Sequence, residues 1–435
     1  MARASLMSSL ISSILDAPNK WLGVGNGSAT TAERLIEQCQ RLIGSAGEAS
    51  GVALAQDVLA SYAALDPAFR LEFFTRLAID FDPAPGDVLD AANQFAADNS
   101  PRALKTLMET VEPRRRSLLR KLNQAPGGTQ ALVRMREALL PLLRENPELK
   151  RVDADFEFLF SAWFNRGFLV LYAIDWSFPA NVLEKLLEYE AVHEIQSWED
   201  LKSRVQPQDR RCFSFFHPAM PDEPLIFVQV ALMKAMPAAI DEVFDPRREP
   251  VKAEEANTAV FYSITNCQVG LRGVSFGNFL IKQVASDLSR ELPGLKAFCT
   301  LSPVPGFGRW VRDDAEAAPA LARLEVIRNT PGWQDDKALS TENRNLLEPL
   351  AARYFLRELR PDGQPIDPVA RFHLGNGAIL DRLNPTGNLS ARGLDEALGL
   401  MVNYRYDLAK VEENHEAYVN DGLVTASKSI TDLAK

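Results

Sequence analysis

The spacing of apolar positions changes character near the middle of the chain. Up to about residue 190 it follows a helical period. Phe69, Phe73 and Leu77 recur every fourth position behind Asp66-Pro67, which predicts a helix with one apolar face. Ser100-Pro101 opens a second such segment, with Leu104, Leu107, Met108 and Val111 at helical spacing. Glu112-Pro113 and Asn146-Pro147 look like further starts. Proline suits the first helical position, where its missing N–H would find no partner anyway. The Gly127-Gly128-Thr129 turn precedes "QALVRMREALL", whose Leu132, Met135 and Leu139 share a face. The aromatic-rich "DFEFLFSAWFNRGFLVLY" reads as one deeply buried helix. Helices with short polar breaks predict an α-bundle over 1–190.

After about residue 200 the runs become short and β-prone. "RCFSFFHPAM" and "PLIFVQVAL" are joined by "PDE", which predicts a hairpin. "TAVFYSITNC" and "KAFCTLSPV" are two more strand candidates, separated by a glycine-containing loop and a helical segment. Helices return from Pro319 onward. The fold class is therefore α+β: an all-helical bundle, then over 191–435 an α/β domain with helical additions.

Composition narrows the function classes. A chain of 435 residues suggests two or three domains. A net charge of −10 and a pI near 5.2 argue against general nucleic-acid binding, yet a local loop in an acidic protein still binds a small anion. The longest apolar run, "FLVLYAI", is far short of the roughly 20 residues of a membrane span. Cys39, Cys212, Cys267 and Cys299 are scattered, with neither zinc spacing nor a CxxC pair. We expect a reducing compartment, no disulfide and no metal. The N-terminal "MARASLMSSLISSIL" is a poor secretory signal, and mitochondrial targeting stays open; the C-terminal "DLAK" is no peroxisomal address.

Two features carry chemistry. One is "QVGLRGVSFG", where Gly270, Gly273 and Gly277 fall between a strand and a helix. Glycine lets backbone amides face an anion, and Arg272 lies within the loop, with Lys282 on the helix behind it. The loop lacks the Walker and dinucleotide-binding spacings, and a plain tight turn would read much the same. It resembles the pyrophosphate loop of GNAT-type acetyltransferases, which bind coenzyme A. The other feature is His373, one of four histidines, in "RFHLGNGA". By itself a lone histidine is more often a packed or surface ring than a catalyst. His217 reads as a turn residue and His415, in "EENHEAY", as exposed.

Four segments together go further: "HPAMPDEPLIFVQVAL", "FYSITNCQVGLRGVSFGNFLIKQV", "FCTLSPVPGFGRW", and "FHLGNGA" with "NYRYDL". In this order and spacing they resemble the malonyl-CoA decarboxylase family. The resemblance implies a helical N-terminal domain, a GNAT-like catalytic domain, a homo-oligomer (dimer or tetramer) and a bacterial cytoplasmic enzyme. It also implies conversion of malonyl-CoA to acetyl-CoA and CO2 with no cofactor beyond the coenzyme A of the substrate. The implied catalytic residues are Ser302, His373 and Tyr406. Gln268, Val269, Gly270, Leu271, Arg272 and Gly273 would hold the pyrophosphate, and Ser263, Ser275 and Asn376 would touch substrate. Ser275 departs from the Glu that animal members carry there. The alternative reading is a GNAT-type acyltransferase; a non-catalytic acyl-CoA sensor stands behind it.

The chemistry sets what these residues must do. Loss of CO2 leaves an enolate, so hydrogen-bond donors must stabilise its oxygen and carbon-2 must receive a proton. An imidazole near its ordinary pKa of ~6.5 would supply that proton at neutral pH.

Overall fold

The structure, a computed structural model, describes residues 31–274 and 280–435. The N-terminal stretch weighed above as a targeting segment lies outside the described residues, as do Ser275 and Gly277. The chain forms two compact units, Met1–Ala125 and Pro126–Lys435. The change of pattern read near residue 190 thus falls inside the second unit, which includes the helices Gly128–Leu139 and Lys150–Trp163.

The described part of the first unit is helical, from Ala32–Gly44 to Arg114–Asn123. Its caps follow the sequence: the Ser100 hydroxyl accepts from the Ala103 amide at 3.1 Å, and Asp66 accepts from Ala68 at 2.9 Å. Phe73 and Leu77 are buried as their spacing predicts, but Phe69 is exposed. Leu104, Met108 and Val111 are exposed too, so the apolar face of helix Pro101–Val111 is left uncovered.

The second unit is built on an eight-stranded sheet in the order β1-β2-β3-β4-β5-β8-β6, with β7 also pairing β8. The strands are β1 Val170–Ile174, β2 Arg210–Phe216, β3 Ile226–Met233, β4 Thr258–Asn266, β5 Ala297–Thr300, β6 Ser302–Pro303, β7 Ile379–Asn384 and β8 Met401–Arg405. β2 and β3 form the expected hairpin. β4 and β5 are parallel, joined through the helix Leu280–Glu291. All other pairings are antiparallel.

One further expectation needs correction. The aromatic segment is not one helix: it ends at Trp163, turns through Asn165–Phe168, and continues as β1. Asn165 caps that turn by accepting from the Gly167 amide, and the β-branched and aromatic residues that follow fit a pleated edge. The helix is also half-exposed, with Phe158 facing outward. Beyond Pro319 helices return as expected, and two strands that sequence reading did not find, β7 and β8, complete the sheet. Their apolar runs are too short to separate from buried helix by periodicity alone.

The main core packs one face of the sheet, through Val228, Val230 and Phe261, against the helix Leu280–Glu291 and the later helices. The parallel ladder of β4 with β5 ends at Phe261 opposite Thr300. β4 runs on to Asn266, while the other chain turns away into β6 to pair with β8. This parting of the strands opens the site.

Candidate active site

Ser302 begins β6, in register with Val402 of β8. His373 lies in the last turn of the helix Pro368–Gly375. That helix starts well: Asp367 is its N-cap and accepts from the Ala370 amide at 2.7 Å, with Pro368 at the first position. The chain leaves it through Gly377, with φ +78°, where a Cβ would come within 1.9 Å of the Val411 carbonyl oxygen. Only glycine fits there. The turn after His373 thus depends on Gly377, whereas Gly375 is still helical. Asn376 donates from Nδ2 to the Phe372 carbonyl at 2.6 Å, and His415 bonds the Gly375 carbonyl at 2.7 Å. His415 is therefore half-buried and engaged rather than exposed.

The helix end delivers His373 against two strands. Nε2 lies 3.1 Å from Ser302 Oγ, and Nδ1 lies 2.8 Å from the Tyr406 hydroxyl. The ring stacks on Tyr404 at 4.6 Å between centroids. Ser302 Oγ donates to Thr300 Oγ1 at 2.8 Å, and the Tyr404 amide donates to the same oxygen at 3.2 Å. Ser302, His373, Tyr406 and Thr300 are all buried.

Burial fixes the charge state. It pushes the His373 imidazole down to about 3, so the ring is neutral at physiological pH. The expectation of an imidazole near 6.5 does not hold in this environment. Burial also drives the Tyr406 phenol well above its ordinary value. Proton directions follow from the Ser302 hydroxyl, which donates to Thr300 Oγ1. Ser302 Oγ then accepts from Nε2–H, and the neutral ring accepts at Nδ1 from the Tyr406 hydroxyl.

Two hollows lie beside this relay, and the smaller one reaches Ser302 and His373. One, of about 220 Å³, is lined by Tyr262, Ser263, Ser302, Val369, Phe372 and His373. The other, of about 470 Å³, includes Gln268, Val269, Leu271, Arg272, Gly273 and Arg371 in its wall. Asn266 and Phe372 line both. Asn376 also lines the larger hollow, whereas Gly270 is packed behind the loop against Val133. Lys282, on the following helix, pairs with Glu412.

Ser263 faces a group that sequence reading missed. Its hydroxyl lies 2.7 Å from one Glu190 oxygen and 2.9 Å from the other. The buried Glu190 carboxylate also accepts from Gln229 Nε2 at 2.8 Å and from the amides of Val192 and His193. Ser263 therefore offers the hollow lone pairs more readily than a proton. Arg371 was missed as well, although it is two residues from His373; it donates to the Pro365 and Ile366 carbonyls. Thr300 had one available signal, since it lies two residues before Ser302 and strand period places both on one face. The four cysteines are buried and free, and burial raises the Cys299 thiol to about 12. Such a thiol is no nucleophile.

A mixed α/β unit that buries a hydroxyl–imidazole–phenol relay at the foot of an open cleft has the architecture of a proton-transfer enzyme. Residues 81–164 match the Malonyl-CoA decarboxylase N-terminal domain, and residues 167–435 match the Malonyl-CoA decarboxylase C-terminal domain. The chain is 50% identical to the malonyl-CoA decarboxylase of Rhodopseudomonas palustris, whose crystal structure superposes with a TM-score of 0.86 over 92% of this chain and 99% of that one. The crystal structure of the Agrobacterium vitis malonyl-CoA decarboxylase gives the same values. The mitochondrial malonyl-CoA decarboxylase of the goose Anser anser anser is 34% identical over 400 residues, which is 83% of this chain and 79% of that protein. The chain belongs to the malonyl-CoA decarboxylase family.

Proposed function

We propose that this chain converts malonyl-CoA to acetyl-CoA and CO2 through the relay Tyr406–His373–Ser302. The observation that carries the mechanism is the buried Ser302–His373 pair opening into a hollow that shares Asn266 and Phe372 with the one lined by Gln268, Arg272 and Gly273. Coenzyme A lies along the larger hollow, with its pyrophosphate at Arg272 and Gly273. The malonyl group enters the smaller one.

In the smaller hollow the carboxylate exchanges water for a wall that, among the described residues, carries neither Lys nor Arg. Departure of CO2 moves the charge to the thioester oxygen and carbon-2, where hydrogen-bond donors are worth most. The Ser302 hydroxyl turns from Thr300 to carbon-2 and gives up its proton. Nε2–H of His373 restores it, and Tyr406 supplies Nδ1. The α-carbanion of a thioester is a far stronger base than a phenolate, so the transfer runs downhill even with a neutral imidazole. Solvent returns one proton to the relay after product leaves, which balances the reaction. No acceptor amine takes part, unlike in the acyltransferase alternative.

We assign the helical first half, to about residue 190, to support and to homo-oligomer formation. The uncovered Leu104, Met108 and Val111 favour this role. A bacterial cytoplasmic location suits the similarity to bacterial relatives, and among the described residues no helix is long and apolar enough to cross a membrane. The test of function is direct. Purified protein is mixed with malonyl-CoA and acetyl-CoA is followed by chromatography, beside His373→Ala. Acetyl-CoA from the wild type is expected, with the variant slower by about 10²-fold or more. Release of free CoA that requires an added amine would replace this reading with the acyltransferase.

A further inference from the structure

The loop Gln268–Gly273 is braced from behind by a helix of the preceding segment. Arg136, on Gly128–Leu139, is fully buried, at 0% exposure. Its Nη1 donates to the carbonyl oxygens of Gly270 at 3.0 Å and Arg272 at 2.7 Å. Its Nε donates to Asp153 at 2.7 Å and its Nη2 to Glu157 at 2.8 Å, both on the helix Lys150–Trp163. The approach is close enough that a Cβ on Gly270 would lie 1.9 Å from the Val133 carbonyl oxygen. The same helix braces the start of the loop. Gln130 Nε2 donates to Glu223 at 2.6 Å, and Gln268 Nε2 donates to the adjacent Pro224 carbonyl at 3.0 Å.

We propose that Arg136 is a positioning residue for the phosphate end of the acyl-CoA, holding the Arg272 carbonyl out of the cleft so that the Gly273 amide is turned into it. The geometry of the peptide bond supplies the reason. In a trans peptide the C=O and the following N–H point in opposite directions. The Arg272 oxygen is fixed on Arg136, so the Gly273 N–H points the other way. Gly273 lines the cleft, has φ +83°, and its amide donates to no acceptor among the described residues. Carbonyl oxygens facing the cleft would repel a phosphate; tied to a guanidinium behind the loop, they do not. Arg suits this task because one planar group reaches two carbonyls and two carboxylates at once. Lysine offers a single nitrogen.

The proposal rests on the reading of the loop as the phosphate holder, and two substrates separate the two ideas. Kinetics are measured with malonyl-CoA and with malonyl-pantetheine, which lacks the pyrophosphate. For the wild type, a lower KM for malonyl-CoA supports the loop reading; equal KM values would overturn that reading and this proposal together. For Arg136→Lys, KM for malonyl-CoA rises roughly tenfold or more, while kcat and the malonyl-pantetheine KM stay near wild type. A loss shared by both substrates, or an unchanged malonyl-CoA KM, overturns the positioning role alone. Glu157→Gln, at a half-exposed site, weakens the same brace without emptying the core, and it is expected to show the same selective rise in smaller measure. It decides the question if Arg136→Lys does not fold, because an unchanged malonyl-CoA KM in that variant overturns the proposal.

Discussion

His373 Nε2 and Ser302 Oγ lie 3.1 Å apart although they are 71 positions apart in the chain. The contact joins the end of a helix to the start of a two-residue strand. Removing either partner breaks the proposed proton path. His373→Ala and Ser302→Ala are each expected to lower kcat by about 10²–10⁴-fold, with the circular dichroism spectrum preserved. Near-normal acetyl-CoA production by either variant would remove that residue from the mechanism.

Thr300 Oγ1 accepts from the Ser302 hydroxyl and from the Tyr404 amide. Thr300→Val keeps the shape and removes the acceptor. It should lower kcat by roughly tenfold, the worth of one buried hydrogen bond, with little change in KM. Thr300→Ser should recover most of the loss. If valine and serine behave alike, the hydroxyl has no part in aiming Ser302.

The neutral state of His373 has a signature in the pH profile. With its pKa pushed down to about 3, kcat/KM should show no inflection near pH 6.5 from this ring. An inflection there that vanished in His373→Gln would contradict the neutral relay.

Acid should destabilise the fold through buried histidines. Burial also lowers His193, to about 4. A histidine neutral in the folded state and protonated in the unfolded state contributes no penalty above pH 6.5. Below it the unfolded chain binds more protons, so stability falls as pH drops from ~6.5 toward the folded pKa, by up to ~1.4 kcal/mol per unit and group. Urea unfolding at pH 7 and pH 5 should show His193→Leu losing about 2 kcal/mol less than the wild type across that interval. Equal losses would mean that His193 is not held neutral.

Gly377 fixes the exit of the helix that carries His373. A side chain there meets the Val411 carbonyl and a left-handed backbone. Gly377→Ala is expected to lower stability by about 1–3 kcal/mol, read as a shifted unfolding midpoint, and to reduce kcat by moving the ring. A wild-type midpoint and rate would show that the turn tolerates a Cβ.

The sequence by itself determined much of this protein. Local grammar fixed the proline-led helix starts, the β2–β3 hairpin and the strand–loop–helix–strand crossover, because caps, turns and periodicity act within a few residues. Long specific segments identified the family and singled out Ser302, His373 and Tyr406. The tertiary structure alone decided the rest. The aromatic segment splits into helix and edge strand because pairing with β2 outweighs its helical pattern. The neutral charge of His373 follows from burial among Tyr404, Tyr406 and the helix end, which no spacing reveals. Glu190 under Ser263 and Arg136 behind Gly270 are contacts between distant segments, made when separate elements pack. Sequence periodicity tells which face of an element is buried; only the packed fold tells what that face meets.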